Sequence, residues 1–406
     1  MQTAERTATQ RLLDVARDPR PAVEAWKAAR PDRRVIGVLP MNFPRELVHA
    51  AGALAVVVQD DQRPVTEGRA LLAEFYCGYT RNLADQAATG RLDLYDAVLM
   101  ADHCIQLVGA ADVVRMVVPE TPVRFGMLNS ALDDSWADDR VLVTLQQLRD
   151  DVEELTGRRV TDGALRESAR AYNRCRALLR RLFDERRAGN ATFSPTVLQG
   201  FVLAAMAMDP VEFHDLLVAA IDEAAAGGTR DDGVRVHLSG HLCHAPRREL
   251  LEAIEDSGAV VVDDDLYVGR RFVSADVDEV GDPLVALGRW YRDRNVAIPC
   301  PTRVQADADW DAWLVDATGR SGAEAVIHLV PKFCEPHMLY YPELRKGLDA
   351  AGIPQLQLET EHEGVPLESV RTRVEALVER ARRRRAQPTV APGTEAVGTV
   401  PTGGPR

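Results

Sequence analysis

Residues Ala325 to Pro336 have the sequence AVIHLVPKFCEP, and this stretch decides the fold. Its apolar run, Ala325 to Val330, stops at Pro331, and Cys334 follows three residues later. A short, continuous apolar run of this kind predicts a buried strand of a parallel sheet. We expect Pro336 to keep the chain from entering a helix directly. Because open α/β sheets bind ligands at the carboxyl ends of their strands, this strand is expected to deliver Cys334 into a cleft.

A second strand-and-cysteine unit, YDAVLMADHC, occurs in the first half of the chain and ends at Cys104. Other segments repeat as well: PRELVHAAGA at 44–53 corresponds to PRRELLEAI at 246–254. Similarly, AGALAVVVQDD in the first half corresponds to DSGAVVVDDD in the second. The repeat predicts an α/β protein in which two Rossmann-like parallel-sheet domains face each other across a cleft. Helices are expected at the N-terminus and between the domains.

The pattern divides the chain into four parts. We assign 1–33 to an N-terminal helical segment and 34–190 to the first Rossmann-like domain with a helical extension. Residues 191–385 form the second Rossmann-like domain with its leading helices. The remainder, 386–406, is rich in Pro, Gly and Thr, and we expect it to be disordered.

Composition narrows the possible functions. The chain has 406 residues and a formal net charge of -13, so nucleic-acid binding has no electrostatic support. No apolar stretch approaches the ~20 residues of a membrane-spanning helix, and the polar N-terminus resembles no secretory signal. We therefore expect a cytoplasmic protein. Neither a GxxxxGK[ST] motif nor a GxGxxG after the first strand is present, so neither ATP hydrolysis nor a nicotinamide cofactor is indicated.

The six cysteines carry the chemical signal, although none forms a CxxC pair. Aligning the halves pairs Cys104 with Cys334, and Cys77 precedes the same predicted cleft. Three thiolates from distant positions suit an iron–sulfur cluster with one corner that is not cysteine. A zinc site completed by His103 is a second possibility. A single nucleophilic cysteine, assisted by His103 or His241, is a third.

A combination of segments resembles the 2-hydroxyacyl-CoA dehydratase and benzoyl-CoA reductase family. In chain order these are PRELVHAAGA, CGYTRN, DHC after a strand, DDDLYVGRRF, PCP, VIHLVPKFCEP, and IPQLQLETEH followed by SVRTRVEALVE. The resemblance covers about residues 34–384. Each segment alone is weak, but KFCEP followed by GIP and an acidic strand end is specific in combination.

The resemblance implies two Rossmann-like domains with a [4Fe–4S] cluster at their junction. It implies that Cys77, Cys104 and Cys334 are the three cysteine ligands of the cluster. Cys300 is the first substitute if one of them is not a ligand. It also implies a homologous second subunit in a heterodimer and a separate ATP-dependent iron–sulfur activator that delivers one electron.

The implied activity is radical elimination of water from a 2-hydroxyacyl-CoA through a ketyl. Two alternatives stay open. One is a benzoyl-CoA reductase-type subunit that reduces an aromatic acyl-CoA, and the other is a subunit whose cluster only relays electrons.

Five further residues are candidates for the predicted cleft. His103 and Glu46 are the candidate catalytic groups, His103 because it is next to Cys104 and can donate a proton. Arg81, Arg270 and Arg271 are candidate ligands for the acyl-CoA, since guanidinium groups suit phosphate and thioester oxygens. The resembled family often carries cysteine where this chain has Tyr267, so any role of that cysteine is absent here.

Overall fold

Four parallel strands form a sheet in the first half of the chain. The computed structural model describes residues 6–40, 42–224, 232–240, 244–306 and 308–386. The strands are β1 (Val35–Leu39), β2 (Leu54–Val57), β3 (Ala97–Ala101) and β4 (Val123–Gly126). Their order is β2-β1-β3-β4. All residues of β1, β2 and β3 are buried, as their unbroken apolar sequences predict.

A second parallel sheet repeats this arrangement. Its strands are β5 (Val234–Ser239), β6 (Ala259–Asp264), β7 (Ala325–Pro331) and β8 (Gln355–Thr360), in the order β6-β5-β7-β8. The strand orders of the two sheets correspond one to one, so β3 and β7 occupy equivalent places. The predicted α/β fold with two parallel-sheet domains is therefore confirmed, and the internal sequence repeat is a structural one.

Helices connect the strands of the first sheet and precede it. They are α1 (Ala8–Arg17), α2 (Arg20–Ala28), α3 (Arg45–Ala50), α4 (Gly68–Leu71), α5 (Gly78–Ala88) and α6 (Ile105–Val117). Helix α6 begins directly after Cys104, and α5 begins directly after Cys77, within the CGYTRN segment.

Four helices separate the two sheets: α7 (Ala137–Thr156), α8 (Asp162–Arg187), α9 (Pro195–Ala207) and α10 (Pro210–Glu223). Thr161 caps α8 and Ser194 caps α9 through their side-chain oxygens. Phe201 of α9 belongs to the same hydrophobic core as Ile36 of β1. The helices that we assigned to the lead of the second domain therefore pack against the core of the first sheet.

The second sheet has five helices: α11 (Arg248–Asp256), α12 (Pro283–Ala297), α13 (Trp310–Ser321), α14 (Glu335–Ala350) and α15 (Leu367–Ala386). One expectation was wrong here, because Pro336 does not prevent a helix after Cys334 but lies in the first turn of α14. Proline is tolerated there because a first-turn N–H has no helical partner to lose. Helix α14 consequently begins directly after Cys334.

Three predicted features fall on residues that the structure does not describe. They are most of the C-terminal tail, His241 and Cys243. Within the described ranges, no helix is both long enough and apolar enough to cross a membrane.

Candidate metal centre

Each of the three predicted cluster cysteines is the residue that precedes a helix. Cys77 is the N-cap of α5, Cys104 of α6 and Cys334 of α14. Cys104 follows β3 and Cys334 follows β7, at the carboxyl ends of equivalent strands. All three side chains are half-buried. The N-terminus of a helix carries a partial positive charge, which stabilises negative charge on a sulfur atom placed there.

The side chain of Gln106 joins the three cysteine segments. Its Oε1 accepts a 2.8 Å hydrogen bond from the backbone N–H of Cys77. Its Nε2 donates to the carbonyl oxygen of Phe333 at 2.8 Å and to that of Phe75 at 3.4 Å. Gln106 itself lies two residues after Cys104 and is buried. A single amide therefore ties together the backbone beside all three cysteines.

The turn that presents Cys334 has an unusual backbone. Phe333 has a φ of 64°, the one positive φ of a non-glycine residue in the described part of the chain. The Cys334 N–H donates to the carbonyl oxygen of Pro331 at 3.0 Å, and the Glu335 N–H donates to that of Phe333 at 3.0 Å. A bulky residue in the left-handed region costs on the order of 1–3 kcal/mol, and such strain concentrates at functional sites.

The thiols affect one another electrostatically. Burial raises the pKa of Cys104 to about 12, and the neighbouring Cys77 thiol adds to the increase. Burial also raises the pKa of Cys334, with further contributions from Cys77, Cys104 and Cys300. For Cys77, burial raises the pKa while hydrogen bonds from Thr80 oppose the increase. The three groups are therefore close enough to interact, and a bound metal must displace their protons.

A preformed site for a single ion is absent from the described residues. Among them, no three His, Cys, Asp or Glu side chains converge closely enough to hold one metal ion. A tetrahedral zinc site needs sulfur ligands about 2.3 Å from one centre. Three half-buried thiols from separate loops fit the donor set of a cluster, whose several iron atoms hold their ligands further apart.

Cys300, the predicted substitute ligand, lies beside this site but inside the protein core. Its Sγ is 3.1 Å from the Tyr267 hydroxyl and 3.0 Å from Thr302 Oγ1. Arg303 links the turn of Cys300 to the Cys104 loop, because its backbone N–H donates to the Cys300 carbonyl oxygen at 3.0 Å and its guanidinium donates to that of Asp102 at 2.7 Å. The Tyr267 hydroxyl, at the position where the resembled family often has cysteine, thus makes a polar contact with a thiol.

The two candidate catalytic residues have different surroundings. His103 is buried next to Cys104, and its ring meets the Tyr267 ring edge to face with centroids 5.2 Å apart. Glu46 is buried in α3, where its carboxylate accepts a 2.9 Å hydrogen bond from Arg176. Glu46 thus forms an ion pair in the core, and its catalytic role stays a prediction.

The three candidate substrate-binding arginines have protein partners. Arg81 forms a 3.0 Å salt bridge with Glu361 and so joins the two halves. Arg270 pairs with Asp263 and Asp184, each at 2.9 Å. Arg271 is buried and donates to backbone carbonyl oxygens, including that of Pro299 at 2.8 Å. All three thus have structural contacts, and their role in binding acyl-CoA stays a prediction.

A cavity opens near the same junction. It has an empty volume of about 670 Å³, part of it open to solvent, and lies between Asp60 of the first half and Arg247, Thr360 and His362 of the second. His362 also contacts the cysteine segment, since a Cβ added to Gly78 would lie 2.5 Å from the His362 Cβ. The cavity is thus separated from the Cys77 segment by one side chain.

The sequence profile of the 2-hydroxyglutaryl-CoA dehydratase D-component family matches residues 40–380. The chain belongs to this family. The matched range includes strands β2 to β8, all three cysteines and Gln106, so the resemblance of the sequence segments is confirmed.

Individual members of the family show which activities occur in it. A benzoyl-CoA reductase subunit of Thauera aromatica is 28% identical over 347 residues, covering 82% of this chain and 87% of the relative. The beta subunit of lactoyl-CoA dehydratase of Anaerotignum propionicum is 27% identical and covers 91% of this chain and 97% of its own length. The beta subunit of (R)-2-hydroxyglutaryl-CoA dehydratase of Acidaminococcus fermentans is 25% identical, with 90% and 96% covered. The relatives are thus subunits of both dehydratases and a reductase.

Sequence reasoning missed two residues of the site, Gln106 and Arg303. Gln106 looks like an ordinary polar residue in the first turn of a helix. Arg303 donates to the carbonyl oxygens of Asp102, at 2.7 Å, and His103, at 3.3 Å. The nearest sequence signal for Arg303 is its position just after PCP, which indicates no partner.

Proposed function

We propose that this chain is the iron–sulfur subunit of a 2-hydroxyacyl-CoA dehydratase, with a [4Fe–4S] cluster held by Cys77, Cys104 and Cys334. The observation that carries the proposal is that three cysteines, each directly before a helix, lie on segments that Gln106 ties together. Structural cysteines have no need of such an arrangement. Membership of a family of dehydratase and reductase subunits supports the same assignment.

The residues of the chain prepare the site in three ways. The helix N-termini stabilise negative charge on the three sulfur atoms. Gln106 fixes the spacing between the segment of the first half and that of the second. Half-burial restricts access of water and oxygen to the thiolates. When bound, the cluster supplies a low-potential electron for the acyl-CoA, which makes loss of the 2-hydroxyl group feasible.

The cavity beside His362 is the proposed site for part of the acyl-CoA. It lies near the carboxyl ends of β2, β5 and β8, where open α/β sheets bind their ligands. Its walls combine apolar side chains, Leu250, Val365 and Leu367, with the polar groups of Arg247 and Thr360. A mixed lining of this kind suits a thioester with both apolar and amide portions.

The surface around the cysteines supports a partner subunit. Four large apolar side chains lie within five residues of a cluster cysteine and are exposed: Phe75 (61%), Ile105 (74%), Met338 (50%) and Leu339 (79%). Exposed apolar residues that gather at one place commonly mark an interface. The relatives are themselves named as subunits, so we assign this rim to a homologous second subunit in a cytoplasmic heterodimer.

An ATP-dependent iron–sulfur activator completes the proposed system. The chain has no GxxxxGK[ST] motif of its own with which to couple electron transfer to ATP hydrolysis. A separate protein must therefore supply the activated electron.

Two alternative functions each have one observation in their favour. The 28% identity to the benzoyl-CoA reductase subunit supports a chain that takes part in reducing an aromatic acyl-CoA. The link between the Cys300 turn and the Cys104 loop through Arg303 supports an electron relay, because a fourth thiolate would leave no iron position for substrate.

One experiment separates the three functions. The anaerobically purified chain, its partner subunit and the activator are combined with ATP and either a 2-hydroxyacyl-CoA or benzoyl-CoA. Release of water with formation of a 2-enoyl-CoA supports the dehydratase, whereas a dienoyl product from benzoyl-CoA contradicts it. If acyl-CoA leaves the electron paramagnetic resonance spectrum of this chain unchanged while the heterodimer turns over, the chain is a relay.

A further inference from the structure

The loop between β8 and α15, residues 361–366, reaches across to the first half of the chain. Glu361 at its start forms a 3.0 Å salt bridge with Arg81 of α5. Glu363 pairs with Arg69, which also belongs to the first half. Both members of this second pair are exposed, and an exposed ion pair contributes little to stability. Contacts of this kind hold a loop in place but can break at little cost.

His362, the second residue of this loop, is the buried part of the attachment and is 2% exposed. Its Nδ1 is 3.1 Å from Oδ2 of Asp60, and its Nε2 is 2.8 Å from the carbonyl oxygen of Arg63. The side-chain nitrogen of Asn82 is 3.2 Å from the same Nε2. A Cβ added to Gly78, the residue after the first cysteine of the candidate centre, would lie 2.5 Å from the His362 Cβ. All these neighbours belong to the first half of the chain.

The same loop forms one wall of the cavity between the two halves. Four of its residues line the cavity, namely Glu361, His362, Gly364 and Val365. Because His362 touches the cavity on one side and the segment of Cys77 on the other, it separates the two. A ligand in the cavity can extend towards the cysteine centre by this route only when His362 moves aside.

The backbone of the loop can change direction at Gly364. Its φ is 102°, in the left-handed region that residues with a Cβ avoid. Space does not require glycine here, because a Cβ at this position would lie 3.9 Å from the Arg247 side chain, an ordinary contact. The backbone angle is therefore the reason for glycine, and glycine can also adopt the other regions of φ and ψ.

We propose that loop 361–366 is a gate between the cavity and the cysteine centre, and that it opens to let the acyl end of the ligand reach that centre. This inference rests on the proposed function. Opening breaks the polar contacts of the first three loop residues with the first half, and Gly364 provides the change in backbone direction. Glu361 also lies 3.6 Å from Lys332, two residues before Cys334, so the loop contacts the second cysteine segment as well. Local openings of this kind occur without global unfolding.

The first test uses the metal-free full chain without ligand and does not depend on the proposed function. Gly364→Ala removes no side-chain contact but strains the closed loop, because alanine disfavours a φ of 102°. Hydrogen exchange of peptides from 361–366, measured by mass spectrometry, should become at least about fivefold faster. The readout includes the residue-364 amide, which donates to the Glu361 carbonyl oxygen at 3.0 Å.

The matched control is Gly281→Ala, in the loop before α12. Gly281 has a φ of 84°, and a Cβ there would meet no described atom within 4 Å, so the substitution introduces the same kind of strain elsewhere. It should leave the exchange of 361–366 unchanged. Unchanged exchange of this loop in Gly364→Ala, or an equal increase in the control, would overturn the proposal.

The second test measures how fast a ligand reaches the centre of the anaerobically reconstituted chain. Lactoyl-CoA and benzoyl-CoA are the probes, and the change that they cause in the visible absorbance of the cluster is followed by stopped flow. Gly364→Ala should raise the association rate at least about threefold over the wild type and the Gly281→Ala control, because more of the chain has an open gate. A rate that is unchanged or lower in Gly364→Ala would refute the gate. If neither probe affects the wild type, the proposed function fails, and the exchange measurement still decides whether the loop opens.

Discussion

The side-chain amide of Gln106 donates a 2.8 Å hydrogen bond to the carbonyl oxygen of Phe333, a residue 227 positions away. Gln106 lies in the first turn of α6, two residues after Cys104, and Phe333 precedes Cys334, so this bond connects the cysteine loops of the two sheets. The same side chain accepts from the Cys77 N–H. Relative positions of the three thiols therefore depend on one buried amide.

Replacing Gln106 by Leu should weaken the site. The change leaves the Cys77 N–H and the Phe333 carbonyl without their partner, which costs about 1–3 kcal/mol for each group that stays buried. We expect faster iron release from the reconstituted variant in the presence of a chelator. Gln355→Leu is the matched control, since it removes two side-chain hydrogen bonds at the amino end of β8. Equal release rates for the two variants would contradict the role of Gln106.

The strands and the three candidate cysteines could be predicted from the sequence, but the hydrogen bonds that connect the cysteine segments could not. An apolar run such as AVIHLVP predicts a strand whose residues are all buried, as those of β7 are. Because this is a local property of the sequence, β7 and its equivalence to β3 could be predicted. Gln106 could not be identified because its partners lie 29 and 227 positions away. The positive φ of Phe333 could not be predicted either, since phenylalanine has no preference for that conformation and the surrounding turn imposes it.

Proline at position 336 shows how a correct local rule gives a wrong expectation. Proline disfavours the interior of a helix, but in the first turn its missing N–H has no cost. Whether Pro336 is in the first turn depends on where the helix starts. That start is set by the Cys334 turn rather than by the proline itself.

Adding one methyl group at Gly78 should disturb the contact that this residue makes with His362, between the two halves of the chain. An alanine Cβ would lie 2.5 Å from the His362 Cβ and 3.1 Å from its backbone nitrogen, so backbone has to move. We expect Gly78→Ala to lower the free energy of unfolding by about 1–3 kcal/mol, as overpacking does. Gly163→Ala, near the start of α8, is the control because its nearest neighbour would be 3.9 Å away. A Gly78→Ala protein as stable as this control would refute the tight contact.

The free energy of unfolding should depend on pH because of the His237 imidazole. Burial alone would lower the pKa of this imidazole, but the Asp263 and Asp265 carboxylates, 3.6 and 3.8 Å away, outweigh burial and raise it to about 9. Because the folded-state pKa exceeds the unfolded value of about 6.5, the contribution is complete below about pH 6.5 and disappears as the pH rises through about 9. Its full size is on the order of 3 kcal/mol.

Denaturant unfolding of wild type and His237→Gln across this pH range tests the prediction. The difference in the free energy of unfolding should be largest near pH 6 and shrink by about pH 10. His214→Gln, which removes a half-buried imidazole next to Asp215, controls for general effects. A difference between wild type and His237→Gln that does not change with pH would rule out the charged imidazole.

Cys300→Ser should leave the iron content unchanged. Serine can keep the contacts with Tyr267 and Thr302, so the core around position 300 should stay folded. Iron quantification after reconstitution, with thermal unfolding as a check of folding, is the measurement. Loss of iron in a folded variant would instead make Cys300 a ligand and favour the electron relay.

The central claim is that Cys77, Cys104 and Cys334 together hold one cluster. Its most direct test is the iron and acid-labile sulfide content of the anaerobically reconstituted chain, compared with the three single Cys→Ala variants. Cys175→Ala is the control, since this thiol is buried in α8 and donates to the Pro210 carbonyl oxygen at 3.0 Å. The account predicts about four iron and about four sulfide ions per chain in the wild type and the control, and loss of the cluster in each of the three variants. A wild-type chain that takes up zinc or no metal, or a Cys334→Ala variant with full iron content, would contradict it.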